Sequence, residues 1–181
     1  MHRDLESVLF DEMQIQQRVK ELGAQISADY VGKSVMLICI LKGAVVFFAD
    51  LVREISVDVQ MDFMAISSYG AATKSTGAVQ IIKDLSVDIT GMHVIVVEDI
   101  IDSGMSLHFL SEILMTRGAK TLELCTLLDK PSRRRAQVNV KYRGFEIPDE
   151  FVVGYGLDYA EKYRELPVVG ILKPSVYGGE E

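Results

Sequence analysis

Much of what would assign this chain to other functional classes is missing from it. Two cysteines in 181 residues are too few for a disulfide framework. Cys39 lies in the apolar run Val35-Met36-Leu37-Ile38-Cys39-Ile40-Leu41 and Cys125 in Leu122-Glu123-Leu124-Cys125-Thr126-Leu127-Leu128. Both read as small buried thiols in a reducing cytosol. The histidines His2, His93 and His108 have neither ligand spacing nor a paired nucleophile. Positive charge is in deficit: 19 Lys and Arg against 26 Asp and Glu leave a net charge of −7, which disfavours nonspecific nucleic-acid binding. No apolar run reaches membrane-spanning length, and the start is polar and acidic without a signal-peptide pattern, so a cytoplasmic location away from membranes is expected. No internal repeat or low-complexity tract appears. With 49% hydrophobic residues, the length suits one substantial core rather than two, so residues 1–181 are expected to form a single domain.

What is present centres on one stretch, from Val94 to Leu107. The short β-branched run Val94-Ile95-Val96-Val97 has the character of a strand buried on both faces, as in a parallel sheet covered by helices. It ends in the adjacent carboxylates Glu98 and Asp99, then passes through Asp102-Ser103-Gly104-Met105-Ser106 into helical spacing. In such sheets ligands sit outside the carboxyl ends of the strands. The loop offers backbone N–H groups, two hydroxyls and a helix N-terminus, which suit a phosphate. The two carboxylates are acceptors and suit ribose hydroxyls or a hydrated Mg²⁺. A site for a phosphorylated sugar follows.

The remaining chain reads as alternating helices and strands. Ile15, Val19, Leu22 and Ile26 recur at helical spacing and stop near Gly32. Strands are expected at 35–41, 59–68, 79–84, from His93, at 121–128, 137–142 and 151–155. A helix is expected at 43–53, and Leu107, Leu110, Ile113 and Leu114 give another an apolar face. Val168–Leu172 is expected to be an edge strand. Arg133-Arg134-Arg135 reads as a solvated basic turn, and 68–77 as a long loop that is either a lid or without order.

The string Val97-Glu98-Asp99-Ile100-Ile101-Asp102-Ser103-Gly104 resembles the phosphoribosyl pyrophosphate motif of the purine phosphoribosyltransferases, in their hypoxanthine-guanine branch. Leu41-Lys42-Gly43, Ser68-Tyr69-Gly70, Leu128-Asp129-Lys130 and Phe151–Tyr159 agree in order, so the resemblance covers most of the chain. It implies an α/β fold with a central, mainly parallel sheet flanked by helices and a small hood built from terminal segments. It implies transfer of a 5-phosphoribosyl group to a 6-oxopurine with Mg²⁺ as cofactor, in a homodimer or homotetramer. By the same resemblance, Asp102 is the general base at purine N7, and residues 98, 99 and 102–106 hold the phosphoribosyl group. Lys42, Gly43 and Arg164 hold pyrophosphate, and the turn at Lys42 contains a non-proline cis peptide. Lys130 reads the purine O6, Phe151 stacks on the base, Val152 reads its edge through the backbone, and Ile100 and Asp158 complete the pocket. Glu98, Asp99 and Asp158 face the metal, and Ser68-Tyr69 forms the base of a closing loop. Glu150 stands where some relatives carry a lysine.

Read without that resemblance, several of these residues have plainer roles. Asp102 is a good N-cap for the following helix, Lys42 a solvated turn lysine and Phe151 a core ring. Two other functional classes are distinguishable. A noncatalytic nucleic-acid regulator on the same fold would lose the base pocket, whereas Lys130, Phe151 and Asp158 are all present. A receiver-like signalling domain would need its acid pair after the first strand, not beside a phosphate cradle.

Overall fold

The computed structural model describes residues 2–68 and 79–178. The lid residue Tyr69, and most of the loop read at 68–77, lie outside the described residues. In chain order the elements are β1 (Leu5–Phe10), α1 (Glu12–Asp29), β2 (Val35–Leu41), α2 (Val45–Arg53), β3 (Val59–Ser68), β4 (Val79–Lys83), β5 (His93–Ile101), α3 (Met105–Thr116), β6 (Thr121–Asp129), β7 (Val140–Glu146), β8 (Val152–Val153), β9 (Val169–Leu172) and α4 (Pro174–Tyr177).

The sequence pattern explains the layers. α1 starts at a reciprocal capping box: Asp11 Oδ1 accepts from Gln14 N and Gln14 Oε1 from Asp11 N, both at 2.9 Å. Its buried stripe Ile15, Val19, Leu22 and Ile26 packs with Phe47, Phe48 and Leu51 of α2 on one sheet face. Strand side chains alternate between faces. Val35, Leu37 and Cys39 of β2 and Ile95 and Val97 of β5 therefore meet α1 and α2. Met36, Ile38, Ile40, Val94 and Val96 meet Leu107, Leu110 and Leu114 of α3 on the other face. This two-sided burial is why β2 and β5 read as continuous apolar runs.

The main sheet has the order β4-β3-β2-β5-β6-β7, parallel except for the antiparallel edge strand β4. From β2 the chain crosses outward to β3, and from β5 it crosses the opposite way to β6 and β7. The carboxyl ends of β2 and β5 thus flank a topological switch point, where a crevice opens.

A second, antiparallel sheet, β1-β9-β8, forms the hood from the two ends of the chain. β9 is its central strand, not the edge strand expected from sequence. The reason is β1, whose residues pair with it from Leu5↔Leu172 to Phe10↔Val169 and which its mixed polar sequence does not announce. The hood packs onto the main core through Val152, Tyr155, Leu157 and Val169, and the Tyr155 hydroxyl donates to Asp50 Oδ2 of α2 at 2.6 Å.

Candidate active site

At the switch point a cavity of about 390 Å³ is lined by the turn Leu41–Gly43, by residues 98–104 with Ser106 and Leu107, and by Asp158 and Arg164 from the hood. The central motif and the turn after β2 therefore face each other across one crevice.

Glu98 and Asp99 lie within β5, three and two residues before its end at Ile101, so backbone pairing fixes their placement. Asp99 Oδ1 accepts from Ile100 N at 2.8 Å, and Glu98 Oε1 from Asp99 N at 3.2 Å. Burial and the neighbouring Asp99 push the Glu98 carboxyl well above its usual range, and burial also raises Asp99. Among the described residues neither forms an ion pair. A crowded acid pair of hard oxygens that lacks a cation fits a hydrated divalent ion. Asp158 lines the same cavity, but its carboxylate is engaged by Arg164 Nη2 at 2.9 Å and Glu161 N at 2.9 Å. Among the described residues no three acids, histidines or cysteines cluster as a metal site. The hard oxygen acceptors of the acid pair are thus left without a cation among the described residues.

The turn after β2 is built against that pair. The Leu41–Lys42 peptide is cis. A Cβ on Gly43 would lie 1.8 Å from Asp99 Oδ2, so only glycine lets the turn's backbone approach the carboxylate this closely. Opposite, a Cβ on Gly156 (φ +100°) would meet the Gly43 carbonyl oxygen at 2.1 Å. Two glycines thus let the hood close onto the turn.

After β5, α3 begins at Met105 with Gly104 (φ +76°) as its N-cap and no side-chain cap hydrogen bond. Asp102 is consequently not the cap that sequence alone allowed. It is half exposed and lines the cavity, with Arg133 Nε 3.5 Å from its Oδ1. Ser103, Gly104 and Ser106 line the cavity where α3 presents its first amides, while Met105 contributes its backbone, donating to Ser103 Oγ at 3.4 Å. Ile100 lines the same wall.

Of the residues assigned to the purine, Ile100 and Asp158 line this cavity, whereas Lys130, Phe151 and Val152 stand beside it. Lys130 follows β6 and is 6% exposed; its Nζ donates to the Glu150 carbonyl at 2.6 Å and lies 3.8 Å from Asp149 Oδ1. Position 150 acts through its carbonyl, which any residue type provides. Phe151 stacks on Tyr177, with centroids 4.8 Å apart and planes at 23°, and meets Tyr159 edge-on. It remains 37% exposed, which makes it a surface platform and not a core ring. Val152 is buried in β8. Arg133 connects the two groups of residues, reaching Asp102 on one side and Asp149, at 3.4 Å, on the other.

Several neighbours of these side chains escaped the sequence reading. The basic turn is not simply solvated: Arg134 pairs with the fully buried Asp129, which Arg143 also holds at 2.8 Å, and the amides of Arg135 and Ala136 donate to the Ser103 carbonyl. This segment buttresses the loop at Ser103 from behind. Tyr177 and Glu161 were also missed; the spacing Asp158-x-x-Glu161-x-x-Arg164 is the one signal in sequence. Both cysteines are buried and free, and burial with the nearby Glu98 and Asp99 pushes the Cys39 thiol up to about 12. No described helix is long and apolar enough to cross a membrane.

Comparison with known proteins agrees with this geometry. The phosphoribosyl transferase domain model matches residues 7–160. The chain is 51% identical to the hypoxanthine-guanine phosphoribosyltransferase of Bacillus subtilis over 177 residues, covering 98% of each chain. It superposes on the crystal structure of a hypoxanthine phosphoribosyltransferase from Staphylococcus aureus with a TM-score of 0.96 at 51% identity, covering 99% of this chain and 97% of that one. A hypoxanthine-guanine phosphoribosyltransferase from Bacillus anthracis, solved with a HEPES molecule in its active site, gives a TM-score of 0.91 at 51% identity, covering 93% and 99%. An acid pair, a phosphate-suited loop and a glycine turn closing on one crevice, with likeness along nearly the whole length, show that the chain belongs to the hypoxanthine-guanine phosphoribosyltransferases of the phosphoribosyl transferase domain family.

Proposed function

We propose that this protein transfers the 5-phosphoribosyl group of phosphoribosyl pyrophosphate to N9 of hypoxanthine and guanine, giving IMP or GMP and pyrophosphate in purine salvage. The observation that carries the reading is the single crevice in which the acid pair, Asp102 and the start of α3 face the Lys42–Gly43 turn and Arg164. Leaving of pyrophosphate from C1′ makes an electron-poor sugar and a strongly anionic leaving group, so the site must neutralise oxygens and position the base. The first amides of α3 with Ser103 and Ser106 hold the 5′-phosphate, and Glu98 and Asp99 accept from the ribose hydroxyls. Lys42, the Gly43 backbone and Arg164 take the diphosphate. Asp102, free of any capping role, accepts the purine N7 proton as the N9–C1′ bond forms. Lys130 donates to O6, Phe151 stacks on the ring, and the Val152 backbone pairs with its edge. Glu98 and Asp99, with Asp158 across the cavity, would hold Mg²⁺, which when bound would supply charge neutralisation for the departing diphosphate.

The protein is taken to work as one domain over 1–181, in the cytoplasm, as a homodimer or homotetramer without nucleic-acid or membrane partners; the resemblance to its family supports these points. The test of the function is product formation. With phosphoribosyl pyrophosphate, hypoxanthine or guanine, and Mg²⁺, nucleotide and pyrophosphate should appear in equal amounts. Turnover should stop in chelator and return with Mg²⁺ or Mn²⁺. Full turnover in metal-free buffer would remove the metal from the account, and no nucleotide under any condition would remove the function.

A further inference from the structure

The two cationic side chains assigned to pyrophosphate already share an anion within the protein. Glu161 Oε2 lies 3.0 Å from Lys42 Nζ, and its Oε1 lies 3.6 Å from Arg164 Nη2. Both carboxylate oxygens are therefore turned to the cations at the diphosphate end of the cavity, although Glu161 stands at the rim and is not part of the lining. The backbone holds it there. Ala160, Glu161 and Tyr163 all have positive φ, at 51°, 63° and 79°, and Glu161 N donates to Asp158 Oδ2. Three non-glycine residues in the left-handed region within four positions are a costly arrangement, and such strain gathers at functional sites. The Tyr163 hydroxyl fastens the far side of the loop to Asp4 Oδ2 of the hood at 2.9 Å.

We propose that Glu161 is a resident counter-anion of the pyrophosphate subsite: its carboxylate holds Lys42 and Arg164 in the free protein, gives them up to the diphosphate, and takes them back as inorganic pyrophosphate leaves. This rests on the reading of that subsite given above. Three consequences follow from charge alone. Glu161 keeps the Lys42 side chain, 119 positions away in sequence, ordered when no ligand is present, and adds to the hold that Asp158 Oδ1 and the Gly156 carbonyl already have on Arg164. It weakens the binding of pyrophosphate, because Lys42 and Arg164 must first give up their contacts to Glu161. It speeds product release, because a carboxylate waits beside the cations. Its role is positioning and competition, and it takes no part in the bond exchange.

The test is the affinity of the full-length protein for inorganic pyrophosphate, by calorimetry in Mg²⁺ buffer, alongside melting temperature. Glu161→Gln should bind pyrophosphate about two- to fivefold more tightly, the span commanded by an exposed ion pair, and the gain should shrink as salt is raised. Glu161→Asp, a methylene shorter, should move in the same direction by less. Glu165→Gln, an exposed neighbour of equal charge, should leave the affinity unchanged. A purely structural role predicts the opposite sign, weaker binding with a lower melting temperature. Unchanged or weaker binding in both Glu161 variants, or equal tightening in Glu165→Gln, would overturn the inference while leaving the proposed function intact. Failure of the unmutated protein to bind pyrophosphate would overturn both.

Discussion

The residues proposed for the phosphoribosyl group and those proposed for the purine are brought to the crevice and its edge by different routes. Residues 98–106 are continuous in sequence: the end of β5, a short loop and the start of α3 carry the acid pair, Asp102 and the loop suited to a phosphate. Residues 130 and 149–152 are assembled from the end of β6 and from a hood whose three-stranded sheet needs Leu5–Phe10 to pair with Val169–Leu172. In the first region local chain geometry creates the chemistry; in the second, tertiary contacts do. Changes in the first should therefore act on transfer itself, and changes in the second on which base is accepted and how it sits.

The largest expected effect belongs to the second region. The Lys130 ammonium has three donors and no acceptor, so it satisfies a purine O6 but not the exocyclic amine of adenine, which also lacks the N1 proton. The unmutated enzyme should disfavour adenine against hypoxanthine by roughly 10⁴- to 10⁵-fold in kcat/KM, the penalty for polar groups left unpaired in a site built to pair them. Adenine turnover within tenfold of hypoxanthine would break the distinction between the regions.

Next is Asp102→Asn, which should lower kcat by about 10²- to 10⁴-fold with the fold intact, as for a positioned general base. A twofold change accompanied by lost thermal stability would return Asp102 to a structural role, although α3 shows no side-chain cap.

A smaller effect should appear in stability. Because burial and Asp99 raise the Glu98 carboxyl above its ordinary value of 4.5, the folded state favours the protonated form. That contribution is complete below the unfolded value and is lost as pH rises through the folded one. Glu98→Gln should thus raise the melting temperature of the ligand-free protein at pH 8 and change it little at pH 4, while reducing Mg²⁺-dependent turnover. Destabilisation at pH 8 would mean that the acid pair is already neutralised within the chain.

The smallest is Tyr177→Ala, which removes the ring behind Phe151. An aromatic pair contributes about 0.5–1.5 kcal/mol beyond buried area. Purine KM should rise by roughly two- to twelvefold with kcat and the KM for phosphoribosyl pyrophosphate nearly constant. A fall in kcat alone would place Tyr177 outside the purine platform.

The same contrast explains what could be read from sequence. β2 and β5 were legible because both faces are buried and the apolar run is unbroken, β6 because its leucines recur despite Glu123 and Thr126, and the acid pair and the loop after it followed because they continue β5. Lys42, Lys130, Phe151 and Arg164 were placed by likeness to a family, since a single lysine or phenylalanine in a loop carries no local signal. β1 and the central position of β9 were hidden because their pairing joins opposite ends of the chain. The tie between the basic turn and Asp129 was hidden for the same reason: a run of arginines looks solvated until the buried carboxylate beside it is seen. Glu161 was invisible because its partners Lys42 and Arg164 come together only when the hood closes.

The most direct test of this division of labour is the ratio of kcat/KM for hypoxanthine to kcat/KM for adenine, measured with phosphoribosyl pyrophosphate and Mg²⁺ in the unmutated protein, Asp102→Asn and Lys130→Ala. Asp102→Asn should slow both bases together and leave the ratio near its unmutated value. Lys130→Ala should collapse the ratio by slowing hypoxanthine far more than adenine, with binding of phosphoribosyl pyrophosphate preserved. A ratio unchanged by Lys130→Ala, or one that Asp102→Asn alters as strongly, would contradict the assignment of transfer to one region and base choice to the other.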